Sequence, residues 1–292
     1  MTWFFIALLS SFLSAFAAIT QKKVLFNLNP VQFSYYLSIV NLVLSIPFFF
    51  FIDYSAVNSS NLSVLLLKSV IGVAAFLCVM TALKNLQISN ALPLLALTPG
   101  FVAVFAFIFL GEELKFYEVL GLVSLIAGTY ILESKNLKEI LFPLNVFFKS
   151  RYHQYILAAL LLFTASSVMD KLLIAKMNLT PISLTAFQHV YFAALFFIIY
   201  FAFKGKLENN SPQINKTDVL WILIISVLTI GYRYTQIVSI SIASVALTLA
   251  VKRTSVLWAT VIGGKIFKDT NLLKKTIAVL FILLGAILIL RD

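Results

Sequence analysis

The sequence predicts an all-α polytopic membrane protein, with ten transmembrane helices arranged as two inverted five-helix repeats. Three features lead there. Of 292 residues, 61% are hydrophobic and only 11% charged, with a mean hydropathy of +1.02. A soluble domain carries roughly 25% charged residues, because a water-facing surface must be polar; 11 acids against 28 Phe cannot supply one here. The apolar runs are continuous and of helix length, whereas a spanning barrel needs short alternating strands. Short signals between these runs also recur in the same order in both halves of the chain.

Polar residues or Pro bound each run, which places spans at 2–21, 31–52, 62–83, 86–110, 116–133, 155–176, 181–203, 218–237, 241–262 and 273–290. The first contains Ala15-Phe16-Ala17, the form of a signal-peptide cleavage site. No basic residue precedes it and nine further runs follow, so it reads as a membrane helix. The longest connection, Glu133 to His153, divides the chain into a first repeat at 1–135, a connecting loop at 136–152 and a second repeat at 153–292.

Asn27-Leu28-Asn29-Pro30 precedes the second span, and Asn178-Leu179-Thr180-Pro181 stands at the matching place before the seventh. Gly111 follows the fourth span and Gly264 the ninth; Gly128 lies late in the fifth and Gly285 late in the tenth. That register needs a four-residue insertion in the last loop of the second half. Five is odd, so the two copies face opposite ways across the bilayer. Inverted repeats of this kind are a transporter architecture, with substrate held near the midplane between the halves.

The stretch Ala91-Leu-Pro-Leu-Leu-Ala-Leu-Thr-Pro99, then Phe-Leu-Gly111-Glu112-Glu113-Leu114, then Gly121 and Ala127-Gly128, resembles the hallmark of the EamA family of the drug/metabolite transporter superfamily. The resemblance covers both halves. It implies a ten-helix, two-repeat transporter in the plasma membrane of a bacterium or archaeon, with a cavity lined by helices 1, 3, 4, 6, 8 and 9. The second copy departs from the pattern, with Lys265 in place of an acid and Val251-Lys252-Arg253 in place of a proline. That basic pair is similar to one in triose-phosphate and phosphate-ester exchangers of the same superfamily, where it holds phosphate.

A helix lining a wet cavity repeats polar residues every three or four positions. The ninth span has Ser241, Ser244, Thr248, Lys252 and Ser255; the eighth has Ser226, Thr229, Arg233 and Gln236. The first has Ser11, Ser14 and Gln21, the sixth Thr164, Ser167 and Lys171, and the third Cys78, Thr81 and Asn85. Ser and Thr also serve close helix packing in lipid; charge is harder to explain that way. Lys252 and Arg253 fall at the centre of the ninth span, where each costs on the order of 2.5–3.5 kcal/mol, and Arg233 lies close enough to join them. Asp170, beside Lys171, is the one acid well inside the spans. Either these cations bind an anionic substrate together with Ser244, Thr248, Gln236 and Gln21, or Asp170 and backbone carbonyls satisfy them in a structural network. His189 is either a proton-coupling group or a neutral histidine bonded to a neighbouring helix. Pro93 and Pro99 kink the fourth span, and Glu112 and Glu113 suit the start of the fifth.

No nucleophile–base pair, metal-ligand spacing or phosphate-cradling glycine loop is present, so the sequence predicts neither an enzyme nor a cofactor or metal. The formal charge of +11 lies mainly in loops, which suits anionic lipid rather than nucleic acid. Odd-numbered connections carry most of the basic residues, while Lys68, Lys115, Lys171, Lys176 and Arg291 fall to the face with the termini. The positive-inside rule then puts both termini outside; the family resemblance puts them in the cytoplasm. Three readings follow: a secondary transporter, exporter or exchanger, of a small anionic metabolite by alternating access; a transporter of neutral or zwitterionic cargo such as amino acids, with a structural basic pair; or a non-transporting sensor or assembly subunit. The expected partners are a small molecule and membrane lipid, with the chain monomeric or homodimeric.

Overall fold

The computed structural model describes residues 2–97, 116–133, 150–208, 214–243 and 245–289. All regular structure among them is helical: α1 (Thr2–Leu25), α2 (Pro30–Ser45), α3 (Ser59–Asn85), α4 (Ile88–Leu95), α5 (Phe116–Glu133), α6 (Arg151–Ala175), α7 (Pro181–Glu208), α8 (Lys216–Ile242), α9 (Val245–Arg253) and α10 (Leu272–Ile289). Between α9 and α10 the chain resumes a helix at Ser255–Trp258, widens into a π turn over Ala259–Gly263 and finishes at Gly264–Ile266. Six helices are long and apolar enough to cross a membrane: α1, α2 with its extension to Phe51, α3, α6, α7 and α8. A shorter apolar stretch, Val119–Leu132, lies in α5. Bulky apolar side chains face outward, among them Phe50, Ile126, Val168 and Ile198. The chain is a multi-pass membrane protein whose outer surface suits lipid.

Local chemistry sets the helix ends. Pro30 and Pro181 open α2 and α7, where the missing N–H costs nothing. Asn29 caps α2 through the Val31 N–H at 3.0 Å, and Thr180 accepts from the Ser183 N–H at 3.2 Å. Asn58 with Asn61, and Asn215 with Asp218, form capping boxes on α3 and α8. The second span does not stay α-helical to 52 as expected: Pro47 lacks a donor, and the chain tightens into a 3-10 helix over Ile46–Phe51. The eighth span is longer than expected. Nothing between 237 and 242 breaks it, so Ser241 closes α8 rather than opening the ninth span, and the chain turns at Ala243. Residues 98–110 of the fourth span lie outside the described residues, as do Gly111, Glu112, Glu113 and Ser244.

The helices associate in a fixed set of pairs: α1 with α8, α3 with α6, α2 with α7, α5 with α10, and α4 with the π turn after α9. Moving every helix five places along the chain leaves that set unchanged. The α5–α10 contact is made by glycine. A Cβ at Gly128 would sit 2.8 Å from the Ala278 carbonyl oxygen, and one at Gly285 would sit 2.6 Å from that of Gly121. The two backbones therefore touch, each glycine receiving the opposite helix. Gly128→Ala and Gly285→Ala should each lower stability by about 1–3 kcal/mol, the range for overpacking, in unfolding titrations of the detergent-solubilised protein. Gly231→Ala, whose Cβ would meet only the flexible tip of Leu13 at 3.1 Å, should leave the midpoint nearly unmoved.

Candidate functional site

Eight helices surround a central cavity of about 200 Å³. α1, α3, α4, α6, α8 and α9 line it, as the family resemblance implies, and α2 and α7 contribute Asn41, Gln188 and His189. α5 and α10 stay outside it, packed on each other. Pockets for drug-sized ligands usually hold about 300–1,000 Å³, so this one suits a small metabolite.

Charge is distributed unevenly around this space. Arg233, Lys252 and Arg253 line it, whereas no Asp or Glu does among the described residues. α9 ends with Lys252 and Arg253 in its last turn, where the helix dipole favours cations. Thr254 closes that end, its hydroxyl donating to the Val251 carbonyl at 2.7 Å and meeting Ser11 of α1 at 2.8 Å. Arg233 donates to Gln188 Oε1 at 2.9 Å and to Gln236 Oε1 at 3.2 Å. Lys252 donates to the same Gln236 oxygen, and its ammonium lies 4.9 Å from the centre of the Tyr232 ring. Behind the wall, Asp170 pairs with Lys68 at 2.7 Å and more loosely with Arg233 at 3.4 Å. Lys68 also donates to Gln188 at 2.7 Å. α3, α6, α7, α8 and α9 are thus joined by one polar network whose single carboxylate is matched first to Lys68.

Of the residues singled out from sequence, Gln21, Arg233, Gln236, Lys252, Arg253 and His189 line the cavity. Asp170 stands behind it as their charge partner. Lys171 does not join them: its ammonium donates to the Ile240 and Ala243 carbonyls at 2.9 and 3.0 Å, satisfying the last carbonyls of α8. Thr248 does not line the cavity either. It is fully buried and shares a 3.0 Å hydrogen bond with Ser239 of α8, the packing role small hydroxyls take in lipid. Ser244 lies outside the described residues. The third-helix stripe is also displaced. Thr81 and Asn85 bond their own helix at Leu77 and Thr81, while Gly72, Phe76, Val79 and Met80 face the cavity. Sequence reasoning missed Lys68, counting it only as a charge on the membrane face with the termini, although it lies within the third span and is 1% exposed inside α3. The rule that exposed Lys252, a lone charge within an apolar run, applies to it equally. Gln188 carried no charge signal, whereas Asn41 stands in a polar stripe with Ser34, Ser38 and Ser45 that the sequence offered.

The profile of the EamA-like transporter family matches residues 1–134 and 151–291. Against curated proteins the sequence has no significant match. One solved crystal structure aligns over 97% of this chain and 95% of its own length, with 15% identity and a TM-score of 0.61, a likeness of fold alone.

Because Lys68 and Asp170 are each 1% exposed, removing Asp170 leaves the Lys68 ammonium buried without its countercharge. Asp170→Asn should cost about 3–5 kcal/mol, the range for breaking a buried pair, read as the thermal unfolding of purified protein. Adding Lys68→Met to that variant should recover most of the loss; failure to recover would place the Asp170 contribution on Arg233 instead.

Proposed function

The chain belongs to the EamA-like transporter family, within the drug/metabolite transporter superfamily, and from that premise we propose a secondary active transporter of a small anionic metabolite. It works as exporter or exchanger by alternating access, in the plasma membrane of a bacterium or archaeon. Its ten helices form two inverted repeats, 1–135 and 153–292, joined by 136–152. The five-place symmetry of the helix pairs and the reciprocal Gly128 and Gly285 contacts support that arrangement, as do the two separate stretches matched by the family profile.

One observation carries the anionic cargo: three cations and no carboxylate among the described residues face the cavity. Asp170, the acid nearest to them, is already held by Lys68. An amide oxygen and an aromatic face partner Lys252 and leave its charge uncompensated, while Arg233 shares Asp170 with Lys68 and meets it only at 3.4 Å. A carboxylate or phosphate arriving there exchanges neutral acceptors for charged ones, and charge-assisted bonds are roughly twice as strong. Transport energy then comes from an ion gradient, from exchange or from the substrate's own gradient. Exchange has the advantage that the cations are never left without an anion.

The same contacts favour a second reading, in which Gln236 and the Tyr232 ring make Lys252 structural and the cargo is neutral or zwitterionic. Substitution separates the two. Lys252→Gln and Arg253→Gln should weaken anion binding by roughly 1.5–3 kcal/mol while the protein still inserts and folds. Unchanged anion transport by both variants in reconstituted vesicles would remove the anionic reading.

A further inference from the structure

Among the polar side chains that face the cavity outside the charge network, an amide and an imidazole stand out. Asn41 of α2 and His189 of α7 both line it, at 7% and 5% exposure. Asn41 Oδ1 and His189 Nε2 are buried with no hydrogen-bond partner among the described residues. Histidine packed neutrally against a neighbouring helix would have a bond there; this one does not. Buried polar atoms in native proteins are nearly always paired, and leaving one unpaired costs more than making the bond gains. Two such atoms on one cavity wall therefore ask for a partner that enters the cavity.

We propose that Asn41 and His189 form a second, uncharged subsite, which recognises a hydroxyl on the same small anion that Arg233 and Lys252 hold. The inference rests on the anionic reading above. α2, α7 and α8 pack on one another, and His189 follows Gln188, whose side-chain oxygen accepts from Arg233 at 2.9 Å. The uncharged subsite thus adjoins the cationic one, and one compact molecule reaches both. Hydroxyl chemistry fits best because an amide and a neutral imidazole each present a donor and an acceptor, and a hydroxyl answers either. Ammonium fits poorly. It would enter a cavity lined by Arg233, Lys252 and Arg253 with no carboxylate among the described lining residues. An anion with a purely apolar body would leave both polar atoms unpaired, the situation that makes hydrogen-bonding sites reject analogues lacking the group. The substrate class is a small hydroxylated organic anion, its head group a phosphate or a carboxylate.

Matched probes test this by titration calorimetry on the full-length protein in detergent: sn-glycerol 3-phosphate against propyl phosphate, and D-glycerate against propionate. The hydroxylated member of the preferred pair should bind about ten-fold tighter than its deoxygenated partner, and the preferred pair identifies the head group. Asn41→Leu and His189→Leu should each remove most of that ratio while leaving propyl phosphate or propionate binding as it was. Lys252→Gln should weaken both members of the pair alike, so the two subsites separate. Equal or tighter binding of the deoxygenated member to the unmodified protein overturns the hydroxyl subsite and leaves the anionic reading standing, whether or not the variants fold. Binding of neither member of either pair overturns both.

Discussion

Asp170 is a carboxylate in the middle of an apolar helix bundle, and the rest of the site is organised by its neutralisation. An ion taken out of water loses several kcal/mol of solvation even after relaxation, so it must be met by opposite charge at close range. Lys68 meets it at 2.7 Å and Arg233 at 3.4 Å. These contacts hold α3, α6 and α8 in register, and Gln188 and Gln236 extend the hold to α7 and α9. Since one negative charge is shared between two positive ones, the bundle retains a surplus of positive charge where the cavity opens. A polar network that joins five helices and a cavity lined by a surplus of positive charge are two consequences of one stoichiometry.

Backbone chemistry imposes a second constraint. The last carbonyls of a helix lack intrahelical partners, and inside a membrane layer no solvent supplies them. Two lysines do so. Near the end of α1, Lys22 donates to the Leu83, Lys84 and Leu86 carbonyls at 2.6, 3.2 and 2.9 Å, closing α3. Near the end of α6, Lys171 closes α8 through Ile240 and Ala243. The same device appears five helices apart, so a cation that looks available for substrate in the sequence can instead be committed to a helix end. α5 and α10 meet through glycines that let the backbones approach directly, with Ser124 donating to the Phe281 carbonyl at 2.8 Å, and that pair stands apart from the cavity.

How much could be read from sequence follows from these constraints. Helix-length apolar runs, the Pro30 and Pro181 signals and the Gly128 and Gly285 pair depend on local rules, and each is found at a helix start or a helix contact. Arg233, Lys252 and Arg253 were readable because charge in an apolar run has few destinations, and they do face the cavity. Lys68 obeys the same rule, lying within the third span, and was missed by being counted only toward membrane orientation. Spacing alone failed for Thr248, Thr81 and Asn85. A hydroxyl or amide can bond its own helix or a packed neighbour as readily as a ligand, and period cannot say which face is wet. Asn41 stands in a stripe on α2, Ser34, Ser38, Asn41 and Ser45 at spacings of four and three, so period alone could have marked that face as polar; Gln188 is brought to the cavity by the packing of α7 against α2 and α8.

If the cargo is the anion proposed above, the shared acceptor at the centre of the site accounts for that preference in energetic terms. Arg233 and Lys252 both donate to Gln236 Oε1, so one neutral oxygen holds two like charges together. Hydrogen bonding keeps their geometry, but it adds no countercharge, and each cation raises the energy of the other. Water entering the cavity lessens that repulsion through its dielectric response; closure of the cavity removes the water and restores it. An anion bound between them turns the repulsion into attraction at the moment closure makes both strongest, because Coulomb energies grow as the effective dielectric falls. A neutral ligand leaves the repulsion in place, and a cationic one adds to it. Under the proposed alternating-access mechanism, the closed state is reached most easily with an anion inside, and that dependence of closure on cargo charge is what coupled movement of a substrate needs.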